Sequence, residues 1–447
     1  MNKICIIAVL LFGCSVWTVG QNRYVFPTEV KPLLTSQWGQ GYPYNKMCPW
    51  EMVDTVKKHT YAGCGPIVMS QVIRYSRYPS YSKQLNSRYD WTQMFDRPND
   101  TTTVQQENAV AKLIVDCGTA ANTLYGQSAS STKLTDLTMG LKKYFGYSRY
   151  MHIADRGYYK GAEGSKAWKT MIYNELKAGR PIIFRGEKGR RMAHVFIIDG
   201  CRDSTVHVNW GWNGKRDGYY DPDTLDGYRM SQRMVVEIAQ PNYTPSIRRI
   251  NVAKPGTLAK SITEKDWLMT QHVKISGTIN KSDIKLLRQL AGGGRKGERN
   301  GNMSSIDMSE AVILTLPDSA FLGCDNLTYI ALPITLPEIS RYAFKGCGKL
   351  NYVKIQPMVN EIKRNAFMAC FNLVEINLPK SLKRIDINAF NSCNSLTAVT
   401  IPPTVKYIGR GAFAYSKKLK SLSIPKSIPN IANDIIKGTS VKKIKRI

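Results

Sequence analysis

The stretch Tyr61-Ala-Gly-Cys-Gly-Pro-Ile-Val-Met-Ser-Gln-Val-Ile-Arg-Tyr-Ser-Arg-Tyr-Pro79 decides the fold of the first half of the chain. Apolar residues recur at helical spacing after Pro66. Proline suits a first helical turn, where its missing N–H would have had no partner. We therefore predict a helix that starts just after Cys64 and is closed by Pro79.

This helix start gives the sulfur of Cys64 an unusual environment. Backbone N–H groups without helical partners and the positive end of the helix dipole converge there. A free thiol with a pKa of about 8.5 is only a few per cent ionised at neutral pH. Helix N-termini and a neighbouring imidazolium lower that pKa by several units. Two interpretations are open at this stage: a nucleophilic cysteine, or a small buried residue at a helix start.

Length, composition and the N-terminal residues indicate the class of protein. The chain has 447 residues, of which 43% are hydrophobic and 21% charged, so we expect a globular protein of two or three domains. Residues 1–20 contain one lysine and a short apolar run, which is the pattern of a secretory signal peptide. Leu11-Phe-Gly-Cys14 also resembles a bacterial lipoprotein box, so lipidation at Cys14 stays open. No later stretch is long enough to predict a transmembrane helix.

Charge and cysteine usage exclude several kinds of site. The formal net charge is +30, which favours anionic partners in general, but no nucleic-acid-binding motif accompanies it, so we expect no nucleic-acid partner. Outside the signal and the repeats, the cysteines show neither a disulfide framework nor the paired spacing of a zinc site. We therefore expect no metal and no cofactor. A disulfide bridge from Cys48 to Cys64, Cys117 or Cys201 stays open.

Helical patterns precede strand patterns in the first half, which indicates an α+β domain. After the Cys64 helix, amphipathic helical spacing covers residues 108–117, 134–144 and 167–176. Strand patterns separated by Gly, Asp and Asn then cover residues 182–184, 194–199, 205–210 and 234–239.

Two of these strands hold candidate catalytic residues. His194 opens the second strand, and Asn209 ends the third before the turn Trp210-Gly-Trp-Asn-Gly214. A cysteine peptidase needs a thiolate, an imidazole that later protonates the leaving amine, and a group that orients the imidazole. We assign these roles to Cys64, His194 and Asn209, with Trp210 or Trp212 covering the bond between histidine and asparagine. The backbone N–H of Cys64 and a side-chain amide are the expected oxyanion donors.

The remaining candidates are weighed on their surroundings. His207 is a rival base, but it lies on one strand face with Asn209, where the two side chains run parallel. A small-residue loop at 125–131 is expected to line the cleft. We assign substrate binding to this loop and to the turn after Asn209, through Ser128, Ala129, Ser130, Gly211 and Trp212. We interpret the other histidines as structural residues: His59, His152 and His272.

Residues 30–241 resemble the streptopain family of papain-like bacterial cysteine peptidases. Five pieces occur in the family's order: 38–45 (Trp-Gly-Gln-Gly-Tyr-Pro-Tyr-Asn), 63–79, 125–130, 193–200 and 207–220. The resemblance implies a papain-like fold, cleavage of proteins and inhibition by thiol alkylators. It also implies Cys64 as nucleophile, His194 as general base and acid, and Gln40 as the side-chain oxyanion donor. Asn209 and Trp210 would position the histidine.

Two features depart from that family. Its members often carry a long N-terminal prodomain, whereas roughly forty residues separate the signal from the catalytic helix here. Either the enzyme is born active or another part of the chain restrains it. Gly65-Pro66 also replaces the more usual Val-Ala after the nucleophile, which is compatible with the same helix start.

A repeat of 23 residues occupies the C-terminal part of the chain. Ala-Phe pairs stand at 320–321, 343–344, 366–367, 389–390 and 412–413, in phase with Cys324, Cys347, Cys370, Cys393 and Ser416. This period is typical of leucine-rich repeats, in which each coil buries its apolar residues against the next. We interpret the repeated cysteines as small, inward, unpaired thiols. The pattern resembles BspA-like leucine-rich repeats, which implies binding to a host or neighbouring-cell surface. The alternative is that the repeats are only a rigid structural extension.

Together these patterns predict a papain-like α+β peptidase domain followed by a leucine-rich-repeat solenoid. We expect a signal peptide at 1–20, the peptidase at 21–241, a linker and N-terminal cap at 242–310, and repeats with a C-terminal cap at 311–447. The expected function is a secreted or surface-bound bacterial cysteine endopeptidase that acts on proteins or peptides. The repeats would direct it to a host or cell-surface protein. The rival is an adhesin with an inactive peptidase-like half, and thiol-dependent amide transfer comes third.

Overall fold

The computed structural model describes residues 24–189, 192–428 and 430–447. The predicted signal peptide and the candidate lipidation site at Cys14 lie outside these ranges. Across the described ranges, no helix combines the length and the apolar character that crossing a membrane requires.

The first half of the chain is an α+β unit, as predicted. Its helices are α1 Cys64–Ser76, α2 Val104–Ala120, α3 Leu134–Phe145 and α4 Gly161–Lys177. Its first strands, in two hairpins, are β1 Trp50–Val53, β2 Val56–His59, β3 Tyr81–Ser82 and β4 Ser87–Arg88. The strands of its main sheet are β5 His152–Asp155, β6 Ile182–Lys188, β7 Met192–Arg202, β8 Thr205–Asn209, β9 Gly218–Tyr220 and β10 Met230–Val236.

The main sheet divides the core of this unit in two. Its strands run antiparallel in the order β5-β10-β6-β7-β8-β9. Successive strand residues point to opposite faces, so Val195 and Ile197 pack with helices α1, α2 and α3. Phe196 and Ile198 pack on the other face with α4. Helix α1 therefore lies directly on strand β7, where His194 is found.

Helix α1 begins at Cys64, where the sequence predicts it, and ends at Ser76, before Pro79. Pro66 lies in its first turn, and Val68 and Val72 of the predicted apolar face are fully buried. Hairpin β1–β2, by contrast, had no sequence prediction, because its four-residue strands show no alternation of apolar and polar residues strong enough to identify them.

The second half opens with an α/β cap. Its elements are β11 Arg248–Val252, α5 Glu264–Met269, β12 His272–Thr278, α6 Lys281–Leu290 and β13 Ser305–Val312. These strands pair in parallel with one another and then with the first repeat strand, β14. The cap therefore extends the sheet of the solenoid and covers its first coil.

Each repeat contributes one or two very short strands. They are β14 Tyr329–Ala331, β15 Glu338–Ile339, β16 Tyr352–Lys354, β17 Glu361–Ile362, β18 Arg384–Ile385, β19 Ala398–Thr400, β20 Tyr407–Ile408, β21 Ser421–Ile424 and β22 Lys445–Arg446. The coils stack through parallel ladders, and β22 from the tail pairs with β21 at the C-terminal end.

The inside of the solenoid is a continuous ladder of identical contacts. Neighbouring phenylalanine rings of the Ala-Phe pairs stack in parallel, with centroids 5.1–5.5 Å apart. The repeated cysteines are buried and unpaired. The thiol of Cys370 donates to the backbone oxygen of Phe344 at 3.1 Å, and the hydroxyl of Ser416 makes the equivalent bond to Phe390 at 3.0 Å. Serine therefore fits the fifth coil because it keeps this hydrogen bond.

The two halves are joined by buried polar contacts. Nζ of Lys142 on α3 donates to Oδ1 of Asn351 in the repeats at 2.6 Å. Glu237, just after β10, accepts from Nε2 of His272 in the cap at 2.8 Å. These contacts link the peptidase-like unit to both the cap and the first coils.

Candidate active site

Cys64 is the first residue of α1 and lies beside strand β7. The nearby backbone of Val195, Gly65 and Cys64 itself acts on this sulfur by lowering the pKa of the thiol. Val195 directly follows His194 in the chain, so the fold brings the two predicted catalytic residues to one place. This proximity is not visible in the sequence, because it depends on α1 packing on β7.

The ionisation of Cys64 differs from the expectation. Burial raises the pKa of the thiol, and the backbone hydrogen bonds and the charge of Arg185 lower it by less. Burial also lowers the pKa of His194 to about 4, although its hydrogen bond to Trp210 opposes this shift. Desolvation penalises a charge on either group. Burial therefore favours the neutral thiol and the neutral imidazole in the resting site.

The imidazole of His194 is oriented by main chain. Its Nε2 lies 2.9 Å from the backbone oxygen of Trp210. A carbonyl only accepts, so Nε2 carries the proton and Nδ1 carries the lone pair of the neutral ring. Nδ1 is therefore the basic atom of this site.

Among the described residues Asn209 makes no hydrogen bond to the imidazole, which departs from the prediction that it accepts the imidazole proton directly. Its Oδ1 accepts from Gly211 N–H at 3.1 Å and from Nε2 of Gln71 at 3.2 Å. Its Nδ2 donates to the backbone oxygen of Ser36 at 2.8 Å. The side-chain amide of Asn209 is thus hydrogen-bonded to the surrounding backbone and to Gln71. It shapes the Trp210–Gly211 segment whose carbonyl holds the histidine.

The two tryptophans of the turn both flank the histidine. The ring of Trp212 stacks on His194 with centroids 4.7 Å apart, and that of Trp210 lies 6.1 Å away. Trp210 is fully buried, whereas Trp212 is only half-buried. Trp212 is therefore the nearer cover over the imidazole, and Gly211 between them adopts a left-handed φ of 71°.

The predicted oxyanion donor and the cleft loop are both hydrogen-bonded to the residues that precede Cys64. The backbone oxygen of Gln40 accepts from Ala62 N–H at 2.9 Å, two residues before the cysteine. Ser130 is buried, and its hydroxyl donates to the backbone oxygen of Tyr61 at 2.6 Å. Ser128 and Ala129 are exposed at the tip of the same loop. The loop therefore flanks the residues that lead into the helix.

The other histidines are engaged elsewhere. Nδ1 of His207 lies 2.7 Å from Oδ1 of buried Asp199, whose Oδ2 accepts from Leu34 N–H at 3.0 Å. This pair ties the N-terminal segment to the sheet. Nδ1 of His59 lies 2.7 Å from the backbone oxygen of Cys48.

One group within the described ranges has residue types that bind metals: His152, Glu237 and His272, all buried. Nδ1 of His152 faces two acceptors, the backbone oxygen of Tyr150 at 3.0 Å and a carboxylate oxygen of Glu237 at 3.4 Å. Nε2 of His272 faces both carboxylate oxygens. Nitrogens in such positions carry protons, so the geometry is that of hydrogen bonds to a carboxylate.

Sequence reasoning missed two residues that support the site. Gln71 lies two helical turns after Cys64 and pairs with Asn209. Oδ1 of Asp217 accepts from Trp210 N–H at 2.9 Å. Both residues lie in stretches that resemble the streptopain family, but only the fold reveals which groups they hydrogen-bond.

Comparisons with known proteins identify a family for each half of the chain. The Peptidase C10 family matches residues 38–220, and the BspA type leucine rich repeat region matches residues 314–442 in six copies. Streptopain of Streptococcus pyogenes serotype M1 is 28% identical over 232 residues, covering 44% of this chain and 56% of streptopain. The thiol protease/hemagglutinin PrtT of Porphyromonas gingivalis is 26% identical over 250 residues, covering 47% of this chain and 28% of PrtT. The chain thus spans about half the length of the one relative and about a quarter of the other.

Among solved structures, the active wild-type interpain A cysteine protease of Prevotella intermedia is 32% identical. The match covers 47% of this chain and 95% of that chain, with a TM-score of 0.41. The match to the Peptidase C10 family and the similarity to streptopain support peptidase activity at the level of the family. Residues 38–220 of this chain form a Peptidase C10 (streptopain family) domain, and residues 314–442 form a BspA type leucine rich repeat region.

Proposed function

We propose that this protein is a cysteine endopeptidase that hydrolyses peptide bonds of proteins through Cys64 and His194. The observation that supports this most directly is the position of the Cys64 sulfur at the start of α1. The backbone of Val195 acts on this sulfur, and Val195 directly follows His194 in the chain. The nucleophile and the base of such an enzyme must lie within hydrogen-bond reach in the substrate complex.

The reaction starts from the neutral pair. As Sγ of Cys64 attacks the carbonyl carbon, its proton passes to Nδ1 of His194 and the π electrons of the carbonyl move to its oxygen. The positive imidazolium is thus balanced by the negative oxygen, and the attraction between them offsets part of their desolvation. The imidazolium then protonates the leaving amine as the C–N bond breaks and the carbonyl forms again. Water attacks the resulting thioester, Nδ1 takes a proton from it, and this proton passes to the sulfur as the C–S bond breaks and the carboxylic acid leaves.

The negative oxygen of the tetrahedral intermediate needs donors. The backbone N–H of Cys64, at the first turn of α1, is one of them. The side-chain amide of Gln40 is the second, since its backbone is bonded to Ala62 just before the nucleophile. Removing one donor of this kind typically lowers kcat by about 10²–10³.

Hydrolysis of casein under reducing conditions tests the function. We expect cleavage by the full chain, and none by Cys64→Ala or after treatment with a thiol alkylator. A thiol-directed peptide-epoxide probe should label Cys64 and spare the buried thiols of Cys48, Cys117 and Cys201. Labelling mapped to any of those three would overturn the site assignment.

We further propose that the protein is exported or surface-bound in a bacterium and that its repeats bind a cell-surface protein. Leucine-rich repeats suit protein binding because they offer a long, regular surface. Binding of the Cys64→Ala protein to whole cells, before and after protease treatment of those cells, tests this part. A protein that binds cells but cleaves nothing under reducing conditions would instead be an adhesin. Amide products formed with an added amine would indicate transfer in place of hydrolysis.

A further inference from the structure

Arg185 of strand β6 lies beside the candidate active site but takes no part in the proposed reaction. It is paired in register with Val195 of β7, and the next residue, Gly186, is paired with His194. Directly opposed residues of an antiparallel pair point to the same face of the sheet, with Cβ atoms about 4.5–5.5 Å apart. Val195 packs on the face that α1 covers, together with Cys64. The side chain of Arg185 therefore lies on that face, next to the nucleophile.

The positive charge of Arg185 reaches the sulfur. It lowers the pKa of the Cys64 thiol, in opposition to the larger effect of burial. The strand register and this charge effect agree on the position of the guanidinium, one strand away from the backbone that borders Cys64. A negatively charged group of a substrate bound at Cys64 would be attracted to it, because charges interact more strongly where the surroundings exclude water.

The guanidinium has donors to spare. Its side chain is half-buried, so it is accessible from the solvent side of the cleft. Nη2 donates to Oε1 of Glu187 at 2.7 Å, and across the described residues the guanidinium makes no other hydrogen bond. A guanidinium carries five N–H donors and binds a carboxylate with two parallel hydrogen bonds. Arg185 can therefore hold a second carboxylate in addition to that of Glu187.

Glu187 anchors the guanidinium from the more exposed side. It lies two residues after Arg185 on β6 and therefore on the same face. A hydrogen bond from Ser231 and the neighbouring Arg185 lower the pKa of its carboxyl group, so the pair is charged at neutral pH. Its side chain is 31% exposed against 23% for Arg185. Ion pairs that are open to solvent are weak, so a substrate carboxylate can share the guanidinium with Glu187.

We propose that Arg185 is a specificity-determining residue whose guanidinium binds an acidic side chain of the substrate close to the bond that is cut. This inference rests on the proposed peptidase function and names its substrate class, polypeptides with Asp or Glu beside the scissile bond. The neutral amide of Gln has the same shape as the carboxyl group of Glu but forms only the weaker, uncharged hydrogen bond. The two residues therefore report on the charge alone.

Paired internally quenched peptides test the preference. Each pair carries Glu or Gln at one of the three positions on either side of a bond that the enzyme cuts in casein, and mass spectrometry confirms the cut. For the wild type we expect kcat/KM to be about tenfold higher with Glu than with Gln at one of these positions. Arg185→Gln should reduce this ratio to about one. Arg185→Lys keeps the charge and should retain part of the preference.

Arg233→Gln is the matched control. Arg233 lies directly across from Arg185 on β10, hence on the same face, and one strand further from β7. Its Nε is paired with Oδ2 of Asp155 at 2.8 Å. The control removes the same charge and should keep the wild-type ratio. Equal cleavage of Glu and Gln peptides by the wild type at every position overturns the inference. So does a preference that survives in Arg185→Gln, or one that Arg233→Gln loses to the same extent.

Alkylation of Cys64 separates this inference from the proposed function, because it requires no peptide hydrolysis. Iodoacetate carries a carboxylate where iodoacetamide carries a neutral amide. The ratio of their rates at Cys64, followed by mass spectrometry, should fall about tenfold in Arg185→Gln and stay at the wild-type value in Arg233→Gln. If the wild type hydrolyses nothing while this difference persists, the peptidase proposal fails and anion binding by Arg185 remains. If hydrolysis is normal and neither ratio depends on Arg185, only the inference is refuted.

Discussion

Nε2 of His194 lies 2.9 Å from the backbone oxygen of Trp210. The orientation of the imidazole therefore depends on a short stretch of main chain. Asp217 holds this stretch through the N–H of Trp210, and Asn209 holds it through the N–H of Gly211. The histidine is thus positioned indirectly, by two side chains that shape the carbonyl it contacts.

The first prediction concerns Asn209 as a positioning residue. Asn209→Ala removes the hydrogen-bond partner of Nε2 of Gln71, of the N–H of Gly211 and of the backbone oxygen of Ser36. We therefore expect a loss of roughly 1–3 kcal/mol in the free energy of unfolding. kcat should fall about tenfold with KM nearly unchanged, a smaller loss than in His194→Ala. The Nε2–H resonance of His194 should shift or broaden in the NMR spectrum. An unchanged resonance together with a loss as large as that of His194→Ala would contradict indirect positioning.

The second prediction concerns the charge of His194. Burial lowers its pKa to about 4, so the ring is neutral above that pH and charged below it. We expect ¹⁵N NMR of the resting protein to show a neutral ring, protonated on Nε2, throughout the range from about pH 5 to 8. In the unfolded chain the pKa of the same imidazole is about 6.5. An imidazolium signal at pH 7 in the resting protein would show that the thiolate–imidazolium pair forms before substrate binds.

The third prediction concerns Gly63, the residue before the nucleophile. Its φ is +86°, and a Cβ there would lie 2.9 Å from the Cβ of Ser130. Gly63→Ala should therefore lower both stability and kcat, because relief of the clash displaces either the cleft loop or Cys64. Gly161 is the matched control, since its φ is +69° and a Cβ would meet nothing within 4 Å.

Gly161→Ala isolates the cost of the left-handed backbone, about 1 kcal/mol. Thermal unfolding should show a clearly larger loss for Gly63→Ala than for this control. Reactivity of Cys64 toward an alkylator should fall in Gly63→Ala and stay at the wild-type level in Gly161→Ala. Equal losses of stability in the two variants would show that the clash with Ser130 does not cause the effect of Gly63→Ala.

The fourth prediction concerns Lys142, which lies buried between the two halves. Burial lowers its pKa to about 7, and the carboxylate of Glu237 partly opposes this shift. The unfolded chain binds this proton up to about pH 10.4, so the contribution of Lys142 to stability rises between pH 7 and that value. This contribution is lost as the pH falls from about 10.4 to 7, and below pH 7 it no longer changes because both states hold the proton. The slope is at most about 1.4 kcal/mol per pH unit.

Replacement of this lysine tests the prediction. Lys142→Met fills a similar volume without a charge, and its unfolding free energy should depend less on pH between 7 and 9 than that of the wild type. The exposed Lys83→Met serves as the control and should follow the wild type. Parallel curves for wild type and Lys142→Met in denaturant titrations would show that Lys142 keeps its proton across this range.

Much of the architecture was predictable because it is written in local periodicity. The helix that begins at Cys64, the order of helices before strands and the step of 23 residues in the repeats all follow from spacings of a few residues. Hairpin β1–β2 was missed for the same reason, since its strands are too short to show a period. The sequence predicted Asn209 as the partner of the histidine, but its hydrogen bonds to Gln71, Ser36 and Gly211 were not predictable from spacing.

The sequence by itself determined which elements form and which residue types could perform catalysis. Only the tertiary structure decided which atoms meet: the carbonyl of Trp210 with His194, Gln71 with Asn209, and Glu237 with His272. It also decided that both Cys64 and His194 are buried, which shifts the pKa of each toward its neutral form. The physical reason is that hydrogen-bond partners and desolvation depend on segments far apart in the chain, whereas helix and strand formation depends on neighbours.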